Sequence, residues 1–404
     1  MLKGMNILFL TIGKIDSFDT SGSIYTDLVR KFRDENHNVF VVHPLEKRLQ
    51  KQTVFEEKDN VYFLRVKTGN ITKTSFIEKG ISTLRLENQF ISSIKKYLSD
   101  VQFDLVLYST PPITFNNVIK YIKLRDNAVS YLLLKDIFPQ NAVDLKMFSK
   151  KSLFYKYFRY KEKQLYLNSD FIGCMSKENE NFIIKHNDGI ENKVEINPNT
   201  IRIEDFNKMD DNEIKLIKDK LNIPQDKIIF LYGGNLGKPQ GIDFLIDIIE
   251  KNEMNSKHFI LIVGTGTEYN KLDNYLKENS INNTKLIDFV PKKDFDKIIK
   301  LADVGLIFLD YRFTIPNFPS RLLTYLQNKL PVLAATDDVT DIKETIQEGN
   351  FGYWVPSNNP EKFVKVMDDL GERDLRIHLG ENGFKYLKQN YDVEVTYQKI
   401  MRHF

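Results

Sequence analysis

Residues 228–249 read IIFLYGGNLGKPQGIDFLIDII. A short apolar run of strand length passes into a loop with glycines at 233, 234, 237 and 241, and then into a segment of helical length. The same order opens the chain. Residues 6–12, NILFLTI, have the character of a central parallel strand buried on both faces. A loop carrying Ser17, Thr20, Ser21, Gly22 and Ser23 follows, and then a helix from Ile24 to Glu35 with apolar residues at Ile24, Leu28, Val29 and Phe32. Residues 38–43, NVFVVH, form a second strand. Strand, helix, strand in this order implies parallel pairing and a right-handed crossover. Two such starts in 404 residues imply two α/β lobes, each large enough for its own core.

Working outward, further strands are expected at 61–66, 104–108 and 129–134, with 170–174 closing the first lobe. The Asn-Pro-Asn turn in VEINPNTIRIEDF, residues 194–206, and the polar segment 207–227 mark the boundary. In the second lobe strands recur at 258–263, 285–289, 304–309 and 331–334, and the tail from about Arg373 is helical. The division is therefore 1–200 for the first lobe and 201–385 for the second, with 386–404 a helix packing back toward the first.

Composition is that of a globular chain, 42% hydrophobic and 28% charged. The net charge of +3 is uneven: Lys and Arg outnumber Asp and Glu by 30 to 23 in residues 1–200, and are outnumbered 28 to 32 thereafter. The basic half is the candidate for facing an anionic surface. No RNA- or DNA-binding signature accompanies it, so nucleic acid is not an expected partner. One cysteine, Cys174, excludes an intrachain disulfide and a Cys-rich zinc site, and suits a reducing compartment. Charge returns at Lys14 and Asp16 before a signal peptide could finish, and no stretch approaches the length of a membrane span. A cytoplasmic location follows as the expectation.

In open parallel sheets ligands bind beyond the carboxyl ends of the strands, where helix N-termini present free N–H groups. Three loops meet that rule. Thr20–Ser23 follows the first strand, and Gly233–Gly241 lets backbone approach a phosphate, with Lys238 adding a positive charge. The lysine is not followed by Ser or Thr as in a Walker loop, and a plain tight turn explains the glycines equally well. The third loop leads to a helix near Pro319 with Ser320 and Arg321 in its first turn, where a cation is unfavourable unless an anion is also bound. The alternative is that Arg321 pairs with a nearby carboxylate. Asp294 and Asp296 sit at an expected helix start, where acidic residues are ordinary, so no metal is expected there.

Seven segments in order carry a resemblance that spans nearly the whole chain: TSGSIYTDLVRKF, LLLKDIFPQNAVDL, INPNTIRIEDF, FLYGGNLGKPQGIDFLI, LIVGTGTEYNKL, DFVPKKDFDKIIKLADVGLIFL and PSRLLTYLQNKLPVLA. Together they resemble the family-4 retaining glycosyltransferases of the GT-B fold, in which two Rossmann-like domains face each other across a cleft. The KDIFP and PSRLLTYL variants resemble a subgroup that builds bacterial surface polysaccharides, including N-acetylfucosaminyl transferases.

The resemblance implies a nucleoside-diphosphate sugar as substrate, UDP first among them, and no cofactor or metal. It implies that Gly22, Gly234, Asn235 and Lys238 lie along the donor's diphosphate, and that Ser320, Arg321 and Leu322 offer backbone amides and a charge to it. Gly264 and Gly266 would line the cleft, and Phe289 and Val290 would hold the base. Asp136 takes the acceptor-side position near the reacting centre, with Lys135 where many relatives have histidine. Relatives often carry two glutamates where this chain has Pro316 and Thr324, so ribose recognition and the usual catalytic glutamate do not transfer, although the Thr324 hydroxyl is able to bond a ribose hydroxyl.

Asp136 also has plainer readings, as a cap for the turn before Pro139 or a partner of Lys135. The segment Lys146–Lys163 interleaves seven basic residues with aromatics around a single glutamate. It suits either peripheral contact with the inner face of the cell membrane, fitting a lipid-linked saccharide acceptor, or a solvated helix packing its aromatics inward. Transfer to such an acceptor in capsule or O-antigen-type synthesis is the expected function. A nucleotide-sugar 2-epimerase and a non-catalytic sugar-nucleotide-binding partner are the alternatives.

Overall fold

The apolar runs NILFL and IIFLYG are central strands of two separate sheets in the computed structural model, which describes residues 4–404 apart from 14, 16–22, 73, 75 and 205–208 and the side chains at 76, 77 and 79. The chain divides into one unit of residues 1–201 with 393–404 and a second of residues 202–392. Both are α/β.

The first unit's strands are β1 (Asn6–Leu10), β2 (Asn38–Glu46), β3 (Val54–Lys58), β4 (Val61–Thr68), β5 (Leu105–Ser109), β6 (Val129–Leu134), β7 (Phe171–Cys174) and β8 (Val194–Ile196). They pair in the order β3-β4-β2-β1-β5-β6-β7-β8, all parallel except β3 against β4. Ile7 through Leu10 are fully buried because β1 lies between β2 and β5 with helices on its faces. The order reverses between β1 and β5, which puts the ligand crevice of this sheet at their carboxyl ends.

The expected closing strand, 170–174, is not the edge. The three-residue β8 lies beyond it, held by Ile172↔Val194 and Cys174↔Ile196. A strand that short, with Glu195 in its middle, carries no periodicity to read. The same holds for β3, whose VFEEK is mostly exposed and adds only the Glu56–Arg65 pair and the Phe55–Tyr62 stack to its backbone pairing with β4.

The second unit has β9 (Ile228–Gly233), β10 (His258–Val263), β11 (Thr284–Ile287), β12 (Val304–Phe308), β13 (Val332–Thr336) and β14 (Gly352–Pro356), in the order β11-β10-β9-β12-β13-β14 and all parallel. Strand β11 ends at Ile287 rather than at Phe289, because Asp288 and Phe289 leave the sheet and are exposed. Phe230, Tyr232, Ile260, Ile262, Leu306 and Phe308 form the centre of its core.

The return to the first unit begins at Val393, because the helix Arg373–Asn390 stays with the second unit. The Val393 amide donates to the Ile201 carbonyl at 2.9 Å, and the helix Val393–Met401 adds Tyr397, Ile400 and Met401 to the core of β1 and β2. Lys31 pairs with Glu394 at 2.5 Å, and Arg402 and His403 both reach Glu195 on β8. Among the described residues no helix is long and apolar enough to cross a membrane.

At the reversal in the second unit, β9 and β12 pair only at Val304↔Phe230 and Gly305↔Leu231 and then part. The Tyr325 side chain fills the fork. Its hydroxyl lies 3.1 Å from the Leu231 carbonyl and 3.0 Å from that of Leu306, and accepts the Gly233 amide at 3.2 Å. A Cβ at Gly305 would meet the Tyr325 ring at 2.4 Å, so a glycine is required opposite it. Tyr325→Phe leaves these buried backbone groups without their partner, at a cost of about 1–3 kcal/mol. The expected result in a thermal melt is a Tm lower by several degrees, and an unchanged Tm would show that the fork does not depend on the hydroxyl.

Candidate functional site

In the second unit the chain leaves β9 through Gly234 at φ +146°, a conformation that favours glycine. A Cβ there would also stand 2.8 Å from Nη2 of Arg321. Arg321 opens the short helix Arg321–Gln327, and its guanidinium lies over the Tyr232 ring at 4.4 Å from the centroid. Nη1 of Arg321 is buried with no hydrogen-bond partner among the described residues. The carboxylate partner allowed by the sequence is not there. A buried guanidinium N–H lacking an acceptor is costly, and an anion is the ligand that would satisfy it.

The loop after β10 lies directly on the glycine loop. A Cβ at Gly264 would fall 1.8 Å from the Gly234 carbonyl oxygen, and one at Gly266 would fall 2.2 Å from that of Leu236. The amides of Gly234 and Leu236 donate to Val263 and Thr265, each at 2.9 Å, so parallel pairing continues past the sheet. Gly264 and Gly266 are thus needed for backbone contact between the loops. Asn235 is exposed, and its Nδ2 donates to Oε1 of Gln240 at 3.1 Å while its carbonyl accepts the Tyr232 hydroxyl at 2.6 Å. It braces the loop. Lys238 is exposed, and its ammonium engages no described residue.

Ser320 is exposed and makes no side-chain cap for the helix that follows it. Leu322 departs from the expected role. Its amide already donates to the Pro319 carbonyl at 3.2 Å, and its side chain is fully buried. The helix starts with a tight turn of i to i−3 bonds, which uses the Leu322 and Leu323 amides and leaves those of Ser320 and Arg321. Thr324 is half-buried with its hydroxyl unpartnered among the described residues, and Pro316 is buried. Phe289 stands just past β11 with 73% of its surface exposed, and Val290 beside it is half-buried. Asp294 lies in the first turn of the helix Lys292–Ile298. Among the described residues no three His, Cys, Asp or Glu side chains gather as a metal site would require.

In the first unit, Thr20, Ser21 and Gly22 lie outside the described residues. Ser23 caps the helix Ile24–Asp34, its Oγ accepting the Thr26 amide at 3.2 Å. Past β6, the Thr110 hydroxyl accepts the amides of Lys135 at 3.0 Å and Asp136 at 3.2 Å, and so fixes the turn that carries both side chains. Oδ1 of Asp136 accepts from Nδ2 of Asn141 at 2.8 Å. Burial pushes the Asp136 carboxyl up to about 6, against the opposing pull of the Ile137 amide and Asn141. Burial likewise lowers the Lys135 ammonium to about 7. Lys135 reaches the Asn197 carbonyl at 3.4 Å rather than pairing with Asp136.

Tyr25, which the sequence reading passed over, belongs to this group. Burial, helped by the nearby Asp136 charge and opposed by the Ser109 side chain, raises its phenol. The only signal for it was its position, second in the first helix after the serine-rich loop.

A proton acceptor with a midpoint near 6 gives a rate that rises with pH through about 6, because the ionised form is the active one. Stability runs the other way. The folded chain favours the neutral carboxyl, a contribution fully present below the ordinary carboxylate range and lost as pH rises through about 6. Asp136→Asn is therefore expected to lower kcat by roughly 10²–10⁴-fold without lowering Tm at pH 8. Full turnover in that variant, or a flat kcat/KM between pH 5 and 8 in the parent, would contradict a proton-accepting role.

Residues 213–386 match the family described as glycosyl transferases group 1. The probable glycosyltransferase WbjE of Pseudomonas aeruginosa is 21% identical over 388 residues, covering 95% of this chain and 93% of its own. The putative colanic acid biosynthesis glycosyl transferase WcaI of Escherichia coli is 25% identical over 162 residues, 39% of each chain. Anabaena HepE, solved in complex with UDP and glucose, superposes with a TM-score of 0.71 at 16% identity, covering 99% of both chains. Each of the two α/β units thus has the parallel-sheet, Rossmann-like fold found in GT-B glycosyltransferase structures.

Proposed function

We propose that the chain, whose residues 213–386 match the family of glycosyl transferases group 1, moves a sugar, with retention, from a UDP-sugar to a lipid-linked saccharide during synthesis of a capsule or O-antigen-type surface polysaccharide. The observation that carries the donor half is Nη1 of Arg321, buried and without a partner beside the glycine loop. The UDP named in the HepE complex fits it, since a diphosphate supplies the acceptor oxygens that this nitrogen lacks. The link of WcaI to colanic acid biosynthesis supports the polysaccharide setting.

In this reading the diphosphate lies across Gly234 and Gly264, against the amides of Ser320 and Arg321, with Lys238 closing on it from the exposed side. Phe289 and Val290 take the base, and the free Thr324 hydroxyl takes a ribose hydroxyl in place of a carboxylate. As the bond from the anomeric carbon to the diphosphate oxygen breaks, its electron pair and negative charge move to the phosphate. The guanidinium and the ammonium stabilise that charge, and no metal is required for it. Asp136 orients the acceptor hydroxyl, which attacks from the face the diphosphate leaves, and accepts its proton, while Lys135 holds the turn beside it. The transfer is of a hexosyl or N-acetylhexosaminyl type, at the inner face of the cell membrane.

At a hundred times its dissociation constant, UDP is expected to stabilise the protein by about 2.7 kcal/mol, read as a rise in Tm. Arg321→Gln should abolish that rise. Lys238→Ala, which removes an exposed ammonium with no hydrogen bond or ion pair among the described residues, should raise Kd about tenfold while leaving the unliganded Tm unchanged. No shift with any nucleoside diphosphate would refute the donor site. Release of UDP only when a saccharide acceptor is present, undiminished by EDTA, separates transfer from epimerisation, which needs no acceptor, and from a non-catalytic partner, which releases none.

A further inference from the structure

The helix Leu153–Asn168 starts at Ser152, whose Oγ accepts the Tyr155 amide at 3.1 Å, and it has two chemically different faces. The inner face is fully engaged. Glu162, Leu165 and Tyr166 are buried, the Phe158 ring packs edge-on against Phe138 at 5.1 Å, and Arg159 bonds Glu162 at 2.6 Å, the His186 carbonyl at 2.6 Å and Asn187 at 2.8 Å. These contacts account for part of the aromatic and basic content of Lys146–Lys163, and they remove Arg159 from the solvent-facing set.

The outer face is different. Leu153 is 81% exposed and Phe154 61% exposed, and Tyr157, Tyr160 and Leu167 continue the same face at spacings of three, three and seven residues, with exposed Met147 ahead of the helix. Lys150, Lys151, Lys156 and Lys163 are exposed around them, and none has an acidic partner among the described residues. The single acid of the stretch, Glu162, points inward to Arg159 and to the Tyr166 hydroxyl at 2.9 Å. The exposed surface therefore combines large apolar groups with cations that no described residue neutralises.

We propose that this face docks the first unit on an anionic lipid bilayer, with Met147, Leu153 and Phe154 entering the acyl boundary, Tyr157 and Tyr160 at headgroup level, and the four lysines against lipid phosphates. The bilayer is the occupant because both parts of the surface are needed by it. A polyanion answers the lysines alone, and an apolar protein groove answers Leu153 and Phe154 but leaves four desolvated ammonium groups at its rim. Lysine stems reach up from a buried apolar stripe to a phosphate plane, and tyrosines favour that boundary. The inference rests on the reading above that the acceptor is lipid-linked, and it names the surface that would bring Asp136 to such an acceptor: the inner side of this helix packs beneath the loop that carries Asp136, through Phe138.

The full chain should co-sediment with vesicles of phosphatidylglycerol and phosphatidylcholine, and not with phosphatidylcholine alone. Replacing Lys150, Lys151, Lys156 and Lys163 together by Glu should weaken that binding by more than about a hundredfold. Leu153→Ser with Phe154→Ser should weaken it by about tenfold and leave the remainder sensitive to salt. Both variants should keep the UDP-dependent rise in Tm, so loss of vesicle binding with the UDP shift intact reports on docking alone. The proposal is overturned if the parent ignores anionic vesicles, if the four-glutamate variant binds them like the parent, or if the serine variant binds vesicles as tightly as the parent, which would make the surface a general polyanion site.

Discussion

Everything at the carboxyl end of the second sheet depends on how the fork between β9 and β12 is filled. After two paired residues the strands separate, and the backbone groups that lose each other are bonded by the Tyr325 hydroxyl. One turn of helix away from Tyr325, on the same side, Arg321 enters the same fork and lays its guanidinium on Tyr232. The helix is short because its task is local: it delivers one hydroxyl to the gap and one positive charge to its rim. The glycine at 234 follows from this, since its φ and the proximity of Arg321 both exclude a side chain.

The first sheet uses its reversal point differently. Instead of a permanent cation it gathers weak acids and bases that burial has drawn toward neutrality, a carboxyl near 6 and an amine near 7, on a turn fixed by the Thr110 hydroxyl. Such groups exchange protons readily near neutral pH. In the proposed reaction that contrast would let one unit stabilise a charge that develops and the other handle a proton. The C-terminal helix supports the second role from behind, since Thr396 bonds Asn197, whose carbonyl receives Lys135.

Much of the fold was legible because central parallel strands are apolar throughout and each is followed by a loop and a helix; NILFL and IIFLYG needed nothing else. The edges were not legible. Strands β3 and β8 are held by backbone pairing to a neighbour already in place, and their side chains need not be apolar. Of the site residues, Arg321, Gly234, Lys238 and Asp136 could be named from motif order. The roles of Gly264 as a spacer, Asn235 as a loop brace and Leu322 as a core residue with a spent amide could not, because each is set by a contact with a different segment. Tyr25 was missed for the same reason, being defined by Ser109 at the end of β5 and Asp136 on the turn past β6.

By itself, then, the sequence determined two α/β lobes, the loops that follow their central strands, and the uneven charge between its halves, because these follow from local periodicity and composition. Tertiary structure alone decided that Arg321 has no counter-ion among the described residues, that Asp136 and Lys135 stand apart, and which side of the helix Leu153–Asn168 stays in solvent. A side chain's partner, its desolvation and its exposure are properties of what the rest of the chain packs around it, and distance along the sequence carries no measure of them.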